Sequence, residues 1–218
     1  MPNFSTILFD LDGTLIDHFA AIHRSHSHTM RQLGLPAPTL AHVRAAVGGG
    51  LENAIATLIG PARVPEALPI YRAYWDATML DDVVLLPGAR ELLESLHARG
   101  TQLAVFTNKF GTSSRLICAH LGLAPFLHGN FGAKDTAWLK PQPAFARHVL
   151  SQLAAHPAST LLVGDSPFDI AAAHQASLPC WAVTTGTHTA AELRAAGADA
   201  VFADLPAVGA ALDRAPHS

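Results

Sequence analysis

Residues 4–14 read Phe-Ser-Thr-Ile-Leu-Phe-Asp-Leu-Asp-Gly-Thr, an apolar stretch that ends in two carboxylates. The β-branched and apolar run predicts a buried strand. Because strand side chains alternate with a period of two residues, we expect Asp10 and Asp12 to point the same way at its end. Open α/β sheets bind ligands at the carboxyl ends of their strands. Two acids there reduce stability unless a cation, hydrogen bonds or a reaction requires them, so the pair predicts a functional site.

After Gly13 the sequence pattern changes from strand to helix, and after Pro87 it changes to alternating helices and strands. Between these residues the apolar spacing and the Gly and Pro breaks predict four helices and no convincing strand. Those helices are expected at 20–33, from 38 onward, at 51–59 and at 66–80. After Pro87, helices are expected at 89–99, 112–121, 143–153, 169–176 and 190–196, and strands at 102–106, 126–131, 160–163, 179–184 and 200–203.

This order of elements predicts an α/β fold, a Rossmann-like parallel sheet with helices on both faces. We assign residues 1–15 and 88–218 to the α/β core domain and residues 16–87 to an inserted α-helical domain. A chain of 218 residues accommodates a core with one smaller insertion. Cys118 and Cys180 are too few for a disulfide framework and lack metal-ligand spacing, so we expect both to be small buried hydrophobes.

Composition narrows the classes of function. Half of the residues are apolar and 14% are charged, which allows a large buried core. The formal charge of −3 gives no basic field for a nucleic-acid backbone. The amino terminus lacks the pattern of a leader, and no stretch approaches the roughly 20 apolar residues of a membrane span. We therefore expect a cytoplasmic protein without nucleic-acid or membrane partners, and the sequence leaves open a monomer or a homodimer.

Four polar segments follow apolar strands, at the edge where the carboxyl ends of a parallel sheet lie. Asp10 and Asp12 follow the first strand, and Thr-Asn-Lys at 107–109 follows the second. Lys140 occurs within Leu-Lys-Pro-Gln-Pro at 139–143, and Gly-Asp-Ser-Pro-Phe-Asp at 164–169 follows a later strand. A turn or a capped loop explains any one of these segments, but their common placement predicts one shared site.

The order of these motifs resembles that of the haloacid dehalogenase superfamily over nearly the whole chain. The motifs are Asp-x-Asp-Gly-Thr, then Thr-Asn, then Lys-Pro-x-Pro, then Gly-Asp-Ser-x-x-Asp. The helical insertion looks like the α-helical cap of that superfamily, and the core would be its catalytic domain. Within the superfamily the chain is most similar to phosphoglycolate phosphatase-like hydrolases of small phosphates.

The resemblance implies distinct roles for the acidic residues. Asp10 would attack phosphorus and form an aspartyl-phosphate, and Asp12 would protonate the leaving oxygen and later take a proton from water. Ordinary turn aspartates are the alternative. Mg²⁺ would be bound by the carboxylates of Asp10 and Asp165 and by the backbone carbonyl of Asp12. Asp169 would support this metal site through water or by orienting Lys140, or else serve only as a helix N-terminal acid.

Positive charge is required at such a site, because a phosphate dianion beside several acids meets a repulsion of about 4 kcal/mol for each pair 4 Å apart. By the resemblance, Lys140 would provide it against the nucleophile and the phosphate, and a solvated surface lysine is the alternative. Thr107 and the backbone N–H of Asn108 would bind the phosphoryl oxygens. Asn108 alternatively only shapes the turn, and Lys109 is either a substrate contact near the cap or a solvated lysine.

Two groups of side chains in the insertion have competing interpretations. The histidines suggest metal ligands, but a solvated helix explains them better, and the aromatic residues fit a packed helix face better than an aromatic substrate site. The histidines are His23, His26 and His28, and the aromatic residues are Tyr71, Tyr74 and Trp75.

Residues 48–50, three glycines, are either a specificity loop or a plain helix linker. Trp138 either flanks the site entrance or packs under the Lys140 loop.

The function that these residues favour is a Mg²⁺-dependent phosphatase acting on a small phosphorylated metabolite, phosphoglycolate-like, through an aspartyl-phosphate. A sugar phosphomutase of the β-phosphoglucomutase type is the alternative, and it predicts basic and sugar-binding residues in the cap. Dehalogenation is disfavoured because it needs no acid at Asp12. A non-enzymatic binding protein is disfavoured because every core catalytic position is filled.

Overall fold

A six-stranded parallel sheet lies at the centre of the computed structural model, which describes residues 4–214. The strands in chain order are β1 (Thr6–Phe9), β2 (Ile16–Asp17), β3 (Val84–Leu85), β4 (Gln102–Phe110), β5 (Gly129–Ala133), β6 (Thr160–Gly164), β7 (Cys180–Val183) and β8 (Ala200–Phe202). The sheet has the order β5-β4-β1-β6-β7-β8, and each neighbouring pair is parallel. Since β1 is an inner strand, its carboxyl end lies at the middle of one sheet edge.

Helices follow or precede nearly every strand of this sheet. They are α1 (Phe19–Gln32), α2 (Leu40–Ala46), α3 (Leu51–Ile59), α4 (Val64–Thr78), α5 (Ala89–Ala98), α6 (Gly111–His120), α7 (Pro143–Gln152), α8 (Pro167–Gln175), α9 (Ala190–Ala195) and α10 (Leu205–Asp213). All but α10 begin and end within one turn of the predicted bounds. The predicted α/β class is confirmed. None of these helices is long and apolar enough to cross a membrane.

The core lies on both faces of the sheet, because successive strand residues point in opposite directions. In β1, Ile7 and Phe9 pack in one apolar cluster with α5, whereas Leu8 packs in the other cluster with α7 and α8. Cys118 and Cys180 are free and buried, as predicted. Helices on both faces thus exclude water from β1 and leave its carboxyl end as the place where polar groups emerge.

The expectation of no strand between Gly13 and Pro87 was wrong. β2 and β3 pair antiparallel, with Ile16 opposite Leu85, and the Leu86 N–H donates to the Leu15 carbonyl at 3.0 Å. Strands of two residues are too short to show any periodicity in sequence. The pair lies where the chain leaves the sheet before α1 and where it returns after α4. We retain the assignment of residues 16–87 to an inserted domain as a proposal.

Candidate active site

Three adjacent strands bring the predicted residues to one edge of the sheet. Asp10 directly follows β1, Thr107 lies in β4, and Asp165 directly follows β6, and all three side chains are buried. Gly13 allows this closeness, because its φ is +84° and a Cβ there would lie 2.7 Å from Asp165 Oδ2. The strand order therefore explains how residues far apart in sequence share one site.

Lys140 occupies the centre of the buried charges. Its Nζ lies 2.8 Å from Asp10 Oδ1 and 2.6 Å from Asp169 Oδ1, and the residue is only 4% exposed. Burial alone would lower the pKa of Lys140, but the two carboxylates raise it above its ordinary value. Lys140 is therefore a fixed positive charge against Asp10, and the interpretation as a solvated lysine does not fit.

The Asn108 side chain fixes the Lys140 loop. Its Oδ1 accepts from the Lys140 N–H at 2.8 Å, and its Nδ2 donates to the Lys140 carbonyl at 3.0 Å and to the Gly48 carbonyl at 2.9 Å. Asn108 therefore does more than shape its own turn. Gly48 and Gly50 line the cleft beside the site, so residues 48–50 lie against it rather than only joining two helices.

Asp169 combines both of the roles considered for it. Its Oδ2 accepts from the Ser166 N–H at 3.1 Å and from the Ser166 hydroxyl at 2.6 Å, and these bonds cap α8. Its Oδ1 faces Lys140. A helix N-terminal acid thereby orients the buried lysine.

Three buried carboxylates offer a cation site. Asp10, Asp165 and Asp169 each have an oxygen within 4.8 Å of the others. Burial raises the pKa of Asp10 to about 6, even beside Lys140, and burial together with Asp10 and Asp169 raises the pKa of Asp165. A hard, all-oxygen donor set with surplus negative charge fits Mg²⁺.

The Asp12 carboxylate lies outside this acidic group and pairs with Lys109. The Lys109 Nζ lies 2.8 and 3.0 Å from the two Asp12 oxygens, and 4.5 Å from the centre of the Trp75 ring. Burial would raise the pKa of Asp12, but the Lys109 ammonium holds it well below its usual value. The solvated alternative for Lys109 is wrong, because its side chain is buried and ion-paired.

His18 is a residue of the site that the sequence reasoning missed. Its ring is fully buried, with Nε2 2.6 Å from the Met79 carbonyl and Nδ1 3.6 Å from Asp12 Oδ1. Because a carbonyl only accepts, the proton lies on Nε2, and within residues 4–214 Nδ1 has no hydrogen-bond partner. Its partner Met79 lies 61 residues away, so no local pattern marked it.

The cleft above these residues is partly open to solvent, and its other side comes from the insertion. We call the residues of the insertion that line it, apart from the two glycines, the cap lining: Ile22, His26, Val47, Leu51, Ala54, Tyr71, Arg72 and Trp75. His26 is 3% exposed and its ring packs on Tyr71, so the interpretation as a solvated helix is wrong for it. Tyr71 and Trp75 are buried, as a packed face requires, and also line the cleft. Trp138 is 39% exposed and does not line the cleft.

Several known proteins that are similar to this chain are named as phosphatases. The sequence model of the haloacid dehalogenase-like hydrolases matches residues 7–183. The chain is 33% identical over 196 residues to the probable phosphatase IndB of Dickeya dadantii, covering 87% of this chain and 85% of that protein. It is 32% identical over 214 residues to a phosphoglycolate phosphatase of Rhodospirillum rubrum, covering 93% and 88%. The crystal structure of a "predicted phosphoglycolate phosphatase" from Haemophilus somnus aligns with a TM-score of 0.89 at 26% identity, covering 95% of this chain and 97% of that one.

Proposed function

The chain belongs to the haloacid dehalogenase-like hydrolase family, and from this premise we propose a Mg²⁺-dependent phosphatase that cleaves a small phosphorylated metabolite through an aspartyl-phosphate. The phosphatase class is confirmed by the family and by relatives that bear that name. The observation that carries the finer proposal is Lys140, buried between Asp10 and Asp169 beside a third carboxylate. This arrangement has one nucleophile and a fixed cation next to it.

In the first step, a carboxylate oxygen of Asp10 attacks phosphorus while the bond from phosphorus to the leaving oxygen breaks. The Lys140 ammonium balances charge between Asp10 and the phosphoryl group. The Thr107 hydroxyl and the Asn108 N–H donate to the phosphoryl oxygens, whose charge they stabilise without reorganisation. Asp12 gives the leaving oxygen its proton.

In the second step, Asp12 takes a proton from water as that water attacks phosphorus, and the bond from Asp10 to phosphorus breaks. The pair of Asp12 with Lys109 keeps Asp12 ionised, which suits this second step. For the first step Asp12 must carry a proton. We infer that the bound phosphoryl group draws Lys109 away from Asp12, so that Asp12 takes up a proton from solvent and then donates this proton to the leaving oxygen.

The carboxylates of Asp10 and Asp165 would bind Mg²⁺, together with the backbone carbonyl of Asp12. When bound, the ion neutralises phosphoryl charge and orients the phosphoryl group. Asp169 is engaged with Ser166 and Lys140, so we assign it to orienting rather than to direct binding.

The proposal is tested by phosphate release from p-nitrophenyl phosphate with Mg²⁺. Asp10→Asn is expected to abolish turnover and EDTA to suppress it, whereas the exposed Asp81→Asn is expected to leave turnover unchanged. Undiminished activity of Asp10→Asn would remove Asp10 as nucleophile, and turnover insensitive to EDTA would remove the metal.

Phosphoglycolate is the first natural substrate to assay, because a relative that is 32% identical is named for it. No observation favours the mutase, since the cap arginines that it would need are engaged elsewhere: Arg44 with the Gly186 carbonyl, Arg63 with Glu66 and Arg72 with Asp76. A cytoplasmic location, the absence of nucleic-acid and membrane partners and a monomeric or homodimeric state remain proposals, the last open to measurement by light scattering.

A further inference from the structure

We propose that the substrate is a phosphomonoester whose leaving group has an uncharged aromatic ring, held by the cap lining. This inference rests on the proposed function and narrows its substrate class. It distinguishes the substrate from phosphoglycolate, which has a second anionic group, and from sugar phosphates, which have many hydroxyls. Four observations support it.

The first observation is an aromatic surface that begins next to the phosphate end of the cleft. Tyr71 and Trp75 lie one turn apart on α4, and their rings stack with centroids 5.9 Å apart and planes inclined by 18°. Trp75 also contacts Lys109, the partner of Asp12, and its Nε1 donates to the Ser113 hydroxyl at 3.2 Å. A ring attached to the leaving oxygen would therefore meet rigid aromatic side chains.

The second observation is the apolar character of the other side chains in the cap lining. Ile22, Val47, Leu51 and Ala54 have no polar side-chain atom, and Phe110 of β4 adds a further ring to the cleft. Hydroxyls of a sugar buried against such a surface without partners would lose their hydrogen bonds to water and weaken binding. An aromatic ring gains there from apolar burial and ring contacts.

The third observation concerns charge. Among the described residues that line the cleft, Arg72 is the cap's cation, and Lys109 pairs with Asp12. The Arg72 Nη2 lies 3.1 Å from Asp76 Oδ1. The guanidinium also stacks over the Phe110 ring, with 4.3 Å between Arg72 Cζ and the ring centre. The Asp76 carboxylate balances part of the Arg72 charge, which weakens the attraction of Arg72 for a carboxylate or second phosphate on the substrate. An uncharged leaving group does not depend on that attraction.

The fourth observation is one neutral polar group. The His26 ring is buried in the cap lining and packs on Tyr71 with centroids 4.7 Å apart. Burial lowers the pKa of His26 to about 4, so at pH 7 the ring is neutral, with one donor and one acceptor. It fits a single polar substituent or ring nitrogen on the substrate.

The test compares monoesters of primary alcohols, so that the leaving groups are close in reactivity. kcat/KM is measured with Mg²⁺ for 2-phenylethyl phosphate, ethyl phosphate, glucose 6-phosphate and phosphoglycolate. We expect 2-phenylethyl phosphate to exceed each of the others by about tenfold or more. Calorimetric binding of the same four compounds to Asp10→Asn should give the same order without turnover.

Tyr71→Leu keeps the site apolar but removes one ring. It is expected to lower the kcat/KM ratio of 2-phenylethyl to ethyl phosphate by about fivefold. Trp138→Leu, which removes an aromatic residue outside the cleft, is the matched control and should keep the wild-type ratio.

Acetyl phosphate separates failure of this inference from failure of the proposed function, because its small acyl group does not depend on the cap lining. If acetyl phosphate is cleaved and phosphoglycolate is the best ester, with Arg72→Gln lowering its kcat/KM, the aromatic assignment is wrong and the phosphatase stands. Equal values for the four esters would also overturn the assignment. If acetyl phosphate and every ester resist cleavage, the proposed function falls and this inference falls with it.

Discussion

On one side of the cleft, buried charges balance one another, and on the other side the cap lining is held by apolar and aromatic contacts. We call the first group the catalytic cluster: Asp10, Asp12, Thr107, Lys109, Lys140, Asp165 and Asp169. Burial raises the pKa of Asp10 and of Asp165, which means that the folded state destabilises their charged forms. Tyr71 and Trp75 instead gain from being buried. The difference teaches that Asp10 and Asp165 supply reactivity at the expense of stability, whereas the cap lining supplies stability and selectivity.

The largest effect is expected from removing the buried cation. Lys140→Met should lower kcat/KM by about 10³, because Asp10 and the phosphoryl group lose their fixed counter-charge. It should also lower the free energy of unfolding by about 3 kcal/mol, since two carboxylates lose their partner. The exposed Lys134→Met is the control for a lost lysine. Near-wild-type kinetics in Lys140→Met would break the assignment of reactivity to the cluster.

Asp165→Asn should separate activity from stability. Activity is expected to fall by about 10², because a metal ligand is lost. In EDTA the free energy of unfolding should rise, because a buried charge that Asp10 and Asp169 repel is gone. When unfolding in urea is measured, added Mg²⁺ should then raise the free energy of unfolding of the wild type but not that of the variant. A variant that is less stable than the wild type in EDTA would contradict the view that the Asp165 charge destabilises the folded state.

The cap lining should respond to pH through His26. Its folded pKa of about 4 lies below the ordinary 6.5, so between these values the unfolded chain binds a proton that the folded protein excludes. Stability attributable to His26 is therefore intact above pH 6.5 and is lost as the pH falls, by about 2 kcal/mol at pH 5. Urea titrations at pH 7 and pH 5 should show this loss in the wild type and a smaller one in His26→Leu. The exposed His120→Gln should behave like the wild type.

The smallest effect is expected at the contact between the cap lining and the core. Trp75→Phe keeps an aromatic ring but removes the bond from Nε1 to the Ser113 hydroxyl. The free energy of unfolding should fall by about 1 kcal/mol, with little change in kcat for acetyl phosphate. A double-mutant cycle with Ser113→Ala measures the coupling. If kcat falls as far as in Lys140→Met, the separation of the two regions is wrong.

The sequence predicted the fold and the neighbourhood of the catalytic cluster, because strand ends and their polar residues are local signals. Asp10, Thr107 and Asp165 follow or end apolar runs, and parallel strands bring such ends together without further information. The helix α10 was missed, since its short Ala- and Gly-containing run has weak periodicity. The Asp204 side chain caps it by accepting from the Ala207 N–H at 2.9 Å.

Partners that are distant in the chain were beyond sequence reasoning. The contact of His18 with Met79 and the burial of His26 under Tyr71 depend on how α1 and α4 pack. The pair of Lys109 with Asp12 joins β4 to the segment after β1, 97 residues away in the chain. A histidine on a helix has the same appearance in sequence whether it is solvated or enclosed. The roles assigned to the catalytic cluster remain predictions until the variants are measured.

The three hydrogen bonds of Asn108 differ in whether an opening of the cleft for product release would break them. One bond reaches the insertion at Gly48, and two hold the backbone of Lys140. Any motion that lifts the glycine segment off the core breaks only the first, at about 1 kcal/mol, and keeps the other two. A cleft that opened at this segment would keep the lysine in place for the next substrate, so release and reloading would not require the site to be rebuilt.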